Sequence, residues 1–230
     1  MTSLRTHSGV VPTPTESVTL NDDQRRSTFM IASLLLDYPG ADFESKINAI
    51  TPELEQLPEA IADRFDRFLR FARANLGFGL EEHYVDTFDQ RRRCCLYLSY
   101  YAVGDTRQRG AAILAFKEAI ETLGFHLERE ELPDHLCLVL EAAALSHDDA
   151  HLMATGMLAA HRDGIEVLRQ ALDQVSSPYA LVVAAVCAAL PPIDDQTKAN
   201  FLELIRSGPP SELVGITTEL PFPSAQPDLL

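Results

Sequence analysis

Hydrophobic residues recur at intervals of three and four through most of the chain between residues 21 and 206, with polar residues between them. This spacing places the apolar side chains on one face of an α-helix, and no stretch alternates for long enough to form a strand. The pattern therefore predicts an all-α fold. The predicted helices cover residues 21–36, 58–76, 81–88, 94–101, 107–123, 133–146, 148–175, 179–190 and 195–206.

Capping and helix-breaking residues define several of these ends. Asn21 or Asp22 is expected to cap the first helix, and Gly124 to end the fifth in a left-handed cap. Pro133 suits a first helical position because it has no N–H to leave unpaired, and Asp134 then opposes the positive end of the helix dipole. We therefore expect a helix that begins at Pro133, with Asp134 exposed at its start.

The helical region is flanked by two segments of different composition. No repeat is visible between residues 21 and 206, so a single helical bundle is favoured over a solenoid. Residues 1–20 are expected to be a flexible N-terminal segment. Residues 207–230 hold five of the 14 prolines and no basic residue. They are too poor in apolar surface to order themselves, which predicts a disordered acidic tail.

The net charge of the chain disfavours some classes of binding partner. The chain has 34 acidic residues against 19 Lys and Arg, a formal net charge of −15. Such a charge repels phosphate, which disfavours nucleic acid and anionic membranes and favours cationic partners. The most apolar early stretch, residues 29–36, is far shorter than the roughly 20 residues that a membrane span needs. No export signal is visible, so a cytoplasmic protein without stable membrane insertion is expected.

The cysteines predict neither a zinc site nor a disulfide scaffold. The four of them lack C-x-x-C spacing and fit a reducing compartment. For the adjacent pair Cys94 and Cys95, the favoured interpretation is one packed and one partly exposed thiol. Nucleotide-binding and nucleophile motifs such as a Walker loop, G-x-G-x-x-G and G-x-S-x-G are also missing from the sequence. No cofactor is therefore predicted.

One histidine pair is the sharpest candidate for a metal site. His147 and His151 have the i,i+4 spacing that places two imidazoles on one helix face, and Asp148, Asp149 and His161 follow nearby. However, no H-E-x-x-H or E-x-x-H pattern supports them, and the segment lies at a predicted turn between helices. A solvated polar corner is the favoured interpretation.

The most unusual stretch is residues 84–110, where tyrosines, Asp and Arg are concentrated. Taken singly, the tyrosines fit core positions with hydroxyls at the surface, Asp105 fits a helix cap, and residues 91–93 fit a solvated charge run. Together with the acidic net charge, they suit a groove for a basic amphipathic peptide better than a catalytic cleft.

Four motifs, in their order and spacing, resemble the NarJ-type chaperones. They are Tyr84-x-x-x-Phe88-Asp89, Leu96-Tyr97-Leu98, Gly104-Asp105-x-Arg107-x-Arg109-Gly110 and Glu131-Leu132-Pro133-Asp134-His135-Leu136. Two further segments, Leu36-Asp37-Tyr38-Pro39 and Ser177-Pro178-Tyr179-Ala180, extend the resemblance over residues 28–190.

The resemblance implies a function without turnover. NarJ-type proteins are grouped with the TorD and DmsD-like maturation chaperones of redox enzymes, which are all-helical and non-catalytic. It implies that the chain binds the N-terminal, leader-like segment of the molybdenum-containing catalytic subunit of respiratory nitrate reductase. In the cytoplasm it would then permit insertion of the molybdenum cofactor before membrane docking. The proteins that make this cofactor are further expected partners.

The same resemblance assigns a client-peptide site by position. Tyr84 and Phe88 match the family's aromatic pair, and Glu131 and Asp134 are the expected partners of a basic leader. The whole expected site comprises Tyr84, Phe88, Asp89, Tyr97, Tyr100, Asp105, Arg107, Arg109, Glu131, Pro133, Asp134, His135 and Leu136. The chain departs from the family pattern where Pro is common, at Cys137, and where bulkier aromatic residues are frequent, at Ala142 and Ala143.

Three other interpretations stay open from the sequence. The chain could serve a different molybdoenzyme with the same fold. It could be a helical metal-dependent enzyme that uses His147 and His151. It could also be a helical scaffold whose aromatic residues belong only to the core.

Overall fold

The computed structural model describes residues 13–104, 107–126 and 131–192, and in these ranges the chain is helical with no strand. This confirms the all-α prediction. Short 3-10 turns cover Leu54–Gln56 and Arg92–Cys94, and a π-helical turn covers Val85–Asp89. The α-helices are α1 (Asp22–Leu36), α2 (Phe43–Glu53), α3 (Glu59–Ala74), α4 (Phe78–Tyr84), α5 (Leu98–Val103), α6 (Arg109–Thr122), α7 (Leu136–Leu145), α8 (Asp148–Ala160), α9 (Arg162–Gln174) and α10 (Tyr179–Ala189).

The core forms around α10 and the pair α1 and α7. Helix α10 is apolar on every side and packs against α1, α3 and α9, as expected for a central buried helix. Helix α1 begins with a capping box in which Asn21 accepts from the backbone N–H of Gln24 at 2.8 Å and Gln24 accepts in return. Its buried face packs on α7, where the Ser33 hydroxyl donates to the carbonyl of Cys137 at 2.8 Å.

Helix α2 is not among the predicted helices. Its buried face consists of Phe43, Ile47 and Ile50, at i, i+4 and i+7. Three apolar residues on a short helix that contains Pro52 are too few to define a period from the sequence. Its formation therefore depends on packing against the bundle.

The single helix predicted over residues 148–175 is wrong, because α8 and α9 are separate. His161 leaves the helical region at φ −108° and ψ 15°. Just beyond this break, a Cβ on Gly164 would lie 2.6 Å from the Cβ of Tyr101. The glycine therefore allows α9 to approach α5 closely, and this tertiary contact sets the direction of α9.

The helix predicted to begin at Pro133 begins instead at Leu136, with His135 as its N-cap. The backbone before it is held against another segment: the N–H of Leu98 donates to the carbonyl of Asp134 at 2.9 Å, and the N–H of Leu136 donates to the carbonyl of Leu96 at 2.8 Å. These two bonds hold His135 in an extended conformation after the turn at Pro133 and Asp134, and α7 starts only beyond it.

The N-terminal segment is not wholly outside the bundle. The N–H of Val18 donates to the carbonyl of Ala188 at 2.8 Å, and Leu20 is buried. Part of the segment expected to be flexible, residues 18–20, therefore contacts the bundle. The predicted helix over 195–206 and the tail over 207–230 lie outside the described residues.

No helix in the described part of the chain is both long and apolar enough to span a membrane.

Candidate functional site

Six of the thirteen residues expected at a client-peptide site line one cavity of about 270 Å³, which we call the aromatic groove. Its walls come from the end of α1, from α4 and the π-helical turn, and from the two segments that precede α5 and α7. The lining residues are Asp37, Tyr38, Tyr84, Phe88, Asp89, Cys95, Leu96, Tyr97, Glu131 and His135.

A second cavity of about 450 Å³ adjoins the aromatic groove, since Asp37 and Tyr38 line both. Its only basic lining residue among those described is Lys46, which pairs with Asp37 at 3.3 Å and with Asp42 at 3.2 Å. The two cavities therefore share a wall at the C-terminal end of α1.

The inner wall of the aromatic groove is a cluster of rings. Tyr84 and Phe88 are one helical turn apart, with centroids at 4.8 Å, and Phe88 lies 4.8 Å from Tyr179 of the core. The Tyr84 hydroxyl donates to the carbonyl of Leu36 at 3.1 Å, and burial raises the pKa of this phenol far above its usual range. Tyr38 packs edge-on against Tyr84 at 5.4 Å and is 46% exposed. The wall therefore offers apolar rings to a ligand.

The π-helical turn Val85–Asp89 separates two kinds of side chain. It ends with an i→i+5 bond in which the N–H of Gln90 donates to the carbonyl of Val85 at 3.1 Å. Phe88 within the turn is buried, whereas Asp89 is exposed. Turns of this kind are frequent at functional sites because the extra residue redirects the side chains that follow.

The opposite wall comes from two segments that are distant in sequence. Tyr97 and His135 form an antiparallel bridge, and their rings meet edge-on at 5.2 Å. The Tyr97 hydroxyl donates to Glu131 Oε1 at 2.9 Å, which places this exposed carboxylate at the rim of the groove. The second and fourth sequence motifs therefore build a single surface.

Asp134 lies behind this wall rather than on it. Its side chain is fully buried, and Oδ2 accepts from the hydroxyl of Ser99 at 2.5 Å and from the Ser99 N–H at 3.3 Å. Arg109 Nε donates to the same Ser99 oxygen at 3.4 Å, and its guanidinium lies 5.4 Å from the Tyr97 ring centroid. The expectation that Asp134 is exposed at a helix start is therefore wrong.

The other predicted site residues also lie outside the aromatic groove. Pro133 and Leu136 are buried. Tyr100 is half-buried and packs edge-on against Tyr101 at 5.4 Å, and Arg107 is exposed on the surface. Asp105 lies outside the described residues.

Sequence reasoning missed four lining residues. Asp37 and Tyr38 had a signal, since they belong to the Leu36-Asp37-Tyr38-Pro39 segment, but that segment served only to extend the family resemblance and no site role was assigned to it. Leu96 also had a signal, since it belongs to the Leu96-Tyr97-Leu98 motif, whereas Cys95 had none beyond its position two residues before Tyr97. The prediction of one packed and one partly exposed cysteine is confirmed, because Cys94 is buried and Cys95 is intermediate.

The aromatic groove is acidic. Asp37, Asp89 and Glu131 contribute carboxylates, and none of its described lining residues is Lys or Arg. Burial lowers the pKa of His135, although Glu131 and other nearby carboxylates act in the opposite direction. A neutral imidazole adds no positive charge, and Asp89 and Glu131 are exposed at the groove, so it favours a cationic ligand.

The histidine pair does not converge on a common point. His147 is exposed and contacts Arg26, whereas His151 is buried with Nδ1 2.8 Å from the carbonyl of Ala143. Within the described residues, no group of three His, Cys, Asp or Glu side chains is placed to hold a metal ion. The polar-corner interpretation suits His147, Asp148 and Asp149, which are exposed, but is wrong for His151.

Comparison with known proteins gives both a family and individual relatives. The family model for the nitrate reductase delta subunit matches residues 54–185, a range that includes most of the aromatic groove. The chain is similar to a Bacillus subtilis protein named probable nitrate reductase molybdenum cofactor assembly chaperone NarJ. The identity is 31% over 176 residues, which cover 74% of this chain and 92% of the relative.

Two further relatives differ in how much of each chain is matched. The nitrate reductase molybdenum cofactor assembly chaperone NarJ of Escherichia coli K12 is 33% identical over 119 residues, half of each chain. The nitrate reductase-like protein NarX of Mycobacterium tuberculosis is 36% identical over 156 residues, which cover 68% of this chain. The matched part makes up 23% of NarX.

Proposed function

We propose a function from one premise: the chain belongs to the nitrate reductase delta subunit family. It acts as a cytoplasmic assembly chaperone that binds the N-terminal segment of the catalytic subunit of a nitrate reductase. While bound, it holds that subunit for molybdenum cofactor insertion before the subunit docks at the membrane. The names of the NarJ relatives, which describe molybdenum cofactor assembly chaperones, support this proposal.

The observation that carries the proposal is the combination of rings and carboxylates in the aromatic groove. An amphipathic helix with a basic face needs an apolar wall for one side and negative charge for the other. Tyr38, Tyr84 and Phe88 supply the apolar wall, and Asp89 and Glu131 are exposed carboxylates in the same cavity. The opposite charges would steer the client segment into the groove, while the ring contacts determine how long it stays.

The proposal assigns binding without turnover. Tyr84 donates its hydroxyl to the backbone carbonyl of Leu36, and Tyr97 donates to Glu131, so both phenols serve the walls of the groove. Tyrosine is protonated at neutral pH at its ordinary pKa of about 10, and burial raises the pKa of Tyr84 and Tyr97 further, away from the range in which a phenol exchanges protons. Such groups suit contact with a peptide rather than proton transfer.

Calorimetry with a synthetic peptide that copies the client's N-terminal segment tests the proposal. We expect Phe88→Ala to weaken binding by about ten-fold or more, because it removes a ring from the inner wall. Phe78→Ala is the matched control, since Phe78 is 77% exposed and does not line the groove. Circular dichroism establishes that each variant is folded.

A second pair of variants tests the contribution of an exposed carboxylate to binding. Glu131→Gln should weaken binding, whereas Glu59→Gln removes an exposed carboxylate outside the groove and should not. Calorimetry with N-terminal peptides from other molybdoenzymes identifies the client as the enzyme whose peptide binds most tightly. Equal binding of all peptides, or equal effects of Phe88→Ala and Phe78→Ala, would contradict the proposal.

A further inference from the structure

A stripe of charge follows the inner side of α9, away from the aromatic groove. Arg162, Glu166 and Arg169 occupy i, i+4 and i+7, so they lie along one helix face. Arg162 and Glu166 are buried, at 1% and 0% exposure. We call these three residues the clamp, and residues 13–17, which cross it, the strap.

The clamp binds the strap through its main chain. Thr15 donates its N–H to Glu166 Oε1 at 2.8 Å, and its carbonyl accepts from Arg162 Nη2 at 2.7 Å. Its hydroxyl donates to Glu166 Oε2 at 3.3 Å, and Arg162 Nη1 donates to the hydroxyl of Ser17 at 2.9 Å. Both backbone groups of one residue are thus paired with buried, charged side chains, as in the capture of an extended peptide.

The clamp is also held in place by bonds that do not involve the strap. Arg169 Nε donates to Glu166 Oε2 at 2.7 Å, and Arg169 Nη1 donates to Asp173 at 2.8 Å. Arg162 Nη1 donates to the carbonyl of Leu190 at 3.1 Å, at the end of α10. These contacts fix the side chains before a ligand arrives, which lowers the entropy cost of binding.

The strap packs over the charged side chains of the clamp rather than over the hydrophobic core. The first apolar anchors of the N-terminal segment are Val18 and Leu20, which follow the strap and pack on the bundle. The strap itself meets the clamp through hydrogen bonds, including one from Arg169 Nη2 to the carbonyl of Thr13 at 3.2 Å. Thr15 of the strap pairs with Arg162 and Glu166, whereas the anchors Val18 and Leu20 contact the bundle beyond the clamp. The contact therefore has the form of a removable ligand in a polar site.

We infer that the clamp is a second peptide-binding site, whose ligand class is an extended chain with a hydroxyl residue at its centre. The strap is its intramolecular ligand, with Thr15 at the central position. No clamp residue lines the aromatic groove, so this inference does not depend on the proposed function. The same site accepts an equivalent segment from a separate chain when the strap is displaced.

A fluorescent peptide that copies residues 11–20 tests the inference on the full chain. In the wild type, the strap competes at an effective concentration of about millimolar. Thr15→Pro in the chain removes the N–H that Glu166 accepts, which weakens the strap and leaves α9 unchanged. Fluorescence anisotropy should show that this variant binds the peptide at least about ten-fold more tightly than the wild type does.

Two controls separate the clamp from other surfaces. The same peptide with proline in place of Thr15 should not bind the Thr15→Pro chain, and adding Glu166→Gln to that chain should abolish binding of the original peptide. If the double variant does not fold, the proline peptide provides the same comparison on an intact clamp. The inference is overturned if the Thr15→Pro chain binds neither peptide, or binds both equally, or if a folded double variant binds the original peptide unchanged.

Discussion

Asp134 and Ser99 are 35 residues apart in the sequence, yet both the hydroxyl and the N–H of Ser99 donate to the buried carboxylate of Asp134. The contact fixes the start of α5 against the segment before α7. Tyr97 and His135 lie next to this pair, so the contact also positions the outer wall of the aromatic groove. Asp134 therefore acts on the groove from behind, and its substitution should affect the fold first.

Asp134→Asn should lower the stability of the folded chain. A hydrogen bond to a charged group is worth about 1.5–3 kcal/mol, and asparagine keeps one acceptor oxygen, so we expect the free energy of unfolding to fall by about 1–2 kcal/mol. Urea denaturation measures this change. Ser99→Ala should cost a similar amount, and the double variant should cost less than the sum. Unchanged stability would show that Asp134 does not hold the wall.

Two glycines should respond to alanine in opposite directions. At Gly164, a Cβ would lie 2.6 Å from the Cβ of Tyr101, so Gly164→Ala should destabilise the chain by about 1–3 kcal/mol. Gly156 lies in α8 with nothing within 4 Å of a Cβ, so Gly156→Ala should stabilise it by about 0.5–1 kcal/mol. Thermal denaturation of both variants checks the pair. A gain in stability at Gly164 would mean that α9 can move away from Tyr101.

His135 should make stability depend on pH. Its pKa is lowered in the folded chain, chiefly by burial, whereas the unfolded chain has the ordinary value of about 6.5. Below that value the unfolded state binds more protons than the folded state, so stability decreases as the pH falls from about 6.5 towards the folded pKa. Urea midpoints between pH 7 and 5 measure the decrease.

The groups around His135 determine the control for that measurement. Glu131, Asp134 and Asp37 oppose the lowering of the pKa of His135. His135→Gln removes the imidazole alone, so its stability should change less than that of the wild type between pH 7 and 5. Parallel curves for the two chains would show that His135 does not contribute.

Salt should weaken binding of a basic client peptide, because ions screen the exposed carboxylates of the aromatic groove. Stopped-flow measurements should show a slower association rate at higher ionic strength, and Glu131→Gln should reduce that dependence. Glu59→Gln is the control, because this exposed residue of α3 lies outside the groove. An association rate that does not vary with salt would indicate recognition by the rings alone.

The local sequence pattern was sufficient to predict those helices whose buried face can be identified from their own residues. The capping box at Asn21 and the apolar character of α10 predicted two of the helices that build the core. The break at His161 was not predicted, because the apolar period runs through it, and the close approach of Gly164 to Tyr101 is a tertiary contact that the local sequence does not show. Helix α2 was missed for a different reason: its apolar stripe has three residues, too few to show a helical period in the sequence.

Among the residues in and behind the aromatic groove, some positions follow from the local sequence and others depend on tertiary contacts. Tyr84 and Phe88 are one turn apart, so their proximity follows from the sequence. The position of Asp134 does not, because only the pairing of distant segments turns its side chain inward towards Ser99. Proline and aspartate at a helix start looked like a cap, but the backbone bonds around Leu136 shift that start by three residues.

The guanidinium of Arg162 also brings two distant parts of the chain to one place. It donates to Thr15 near the first described residues and to the carbonyls of Leu190 and Pro191 near the last. Among the described residues, the first and last segments of the chain are therefore joined through one buried side chain, so a single substitution at Arg162 would act on both of them at once.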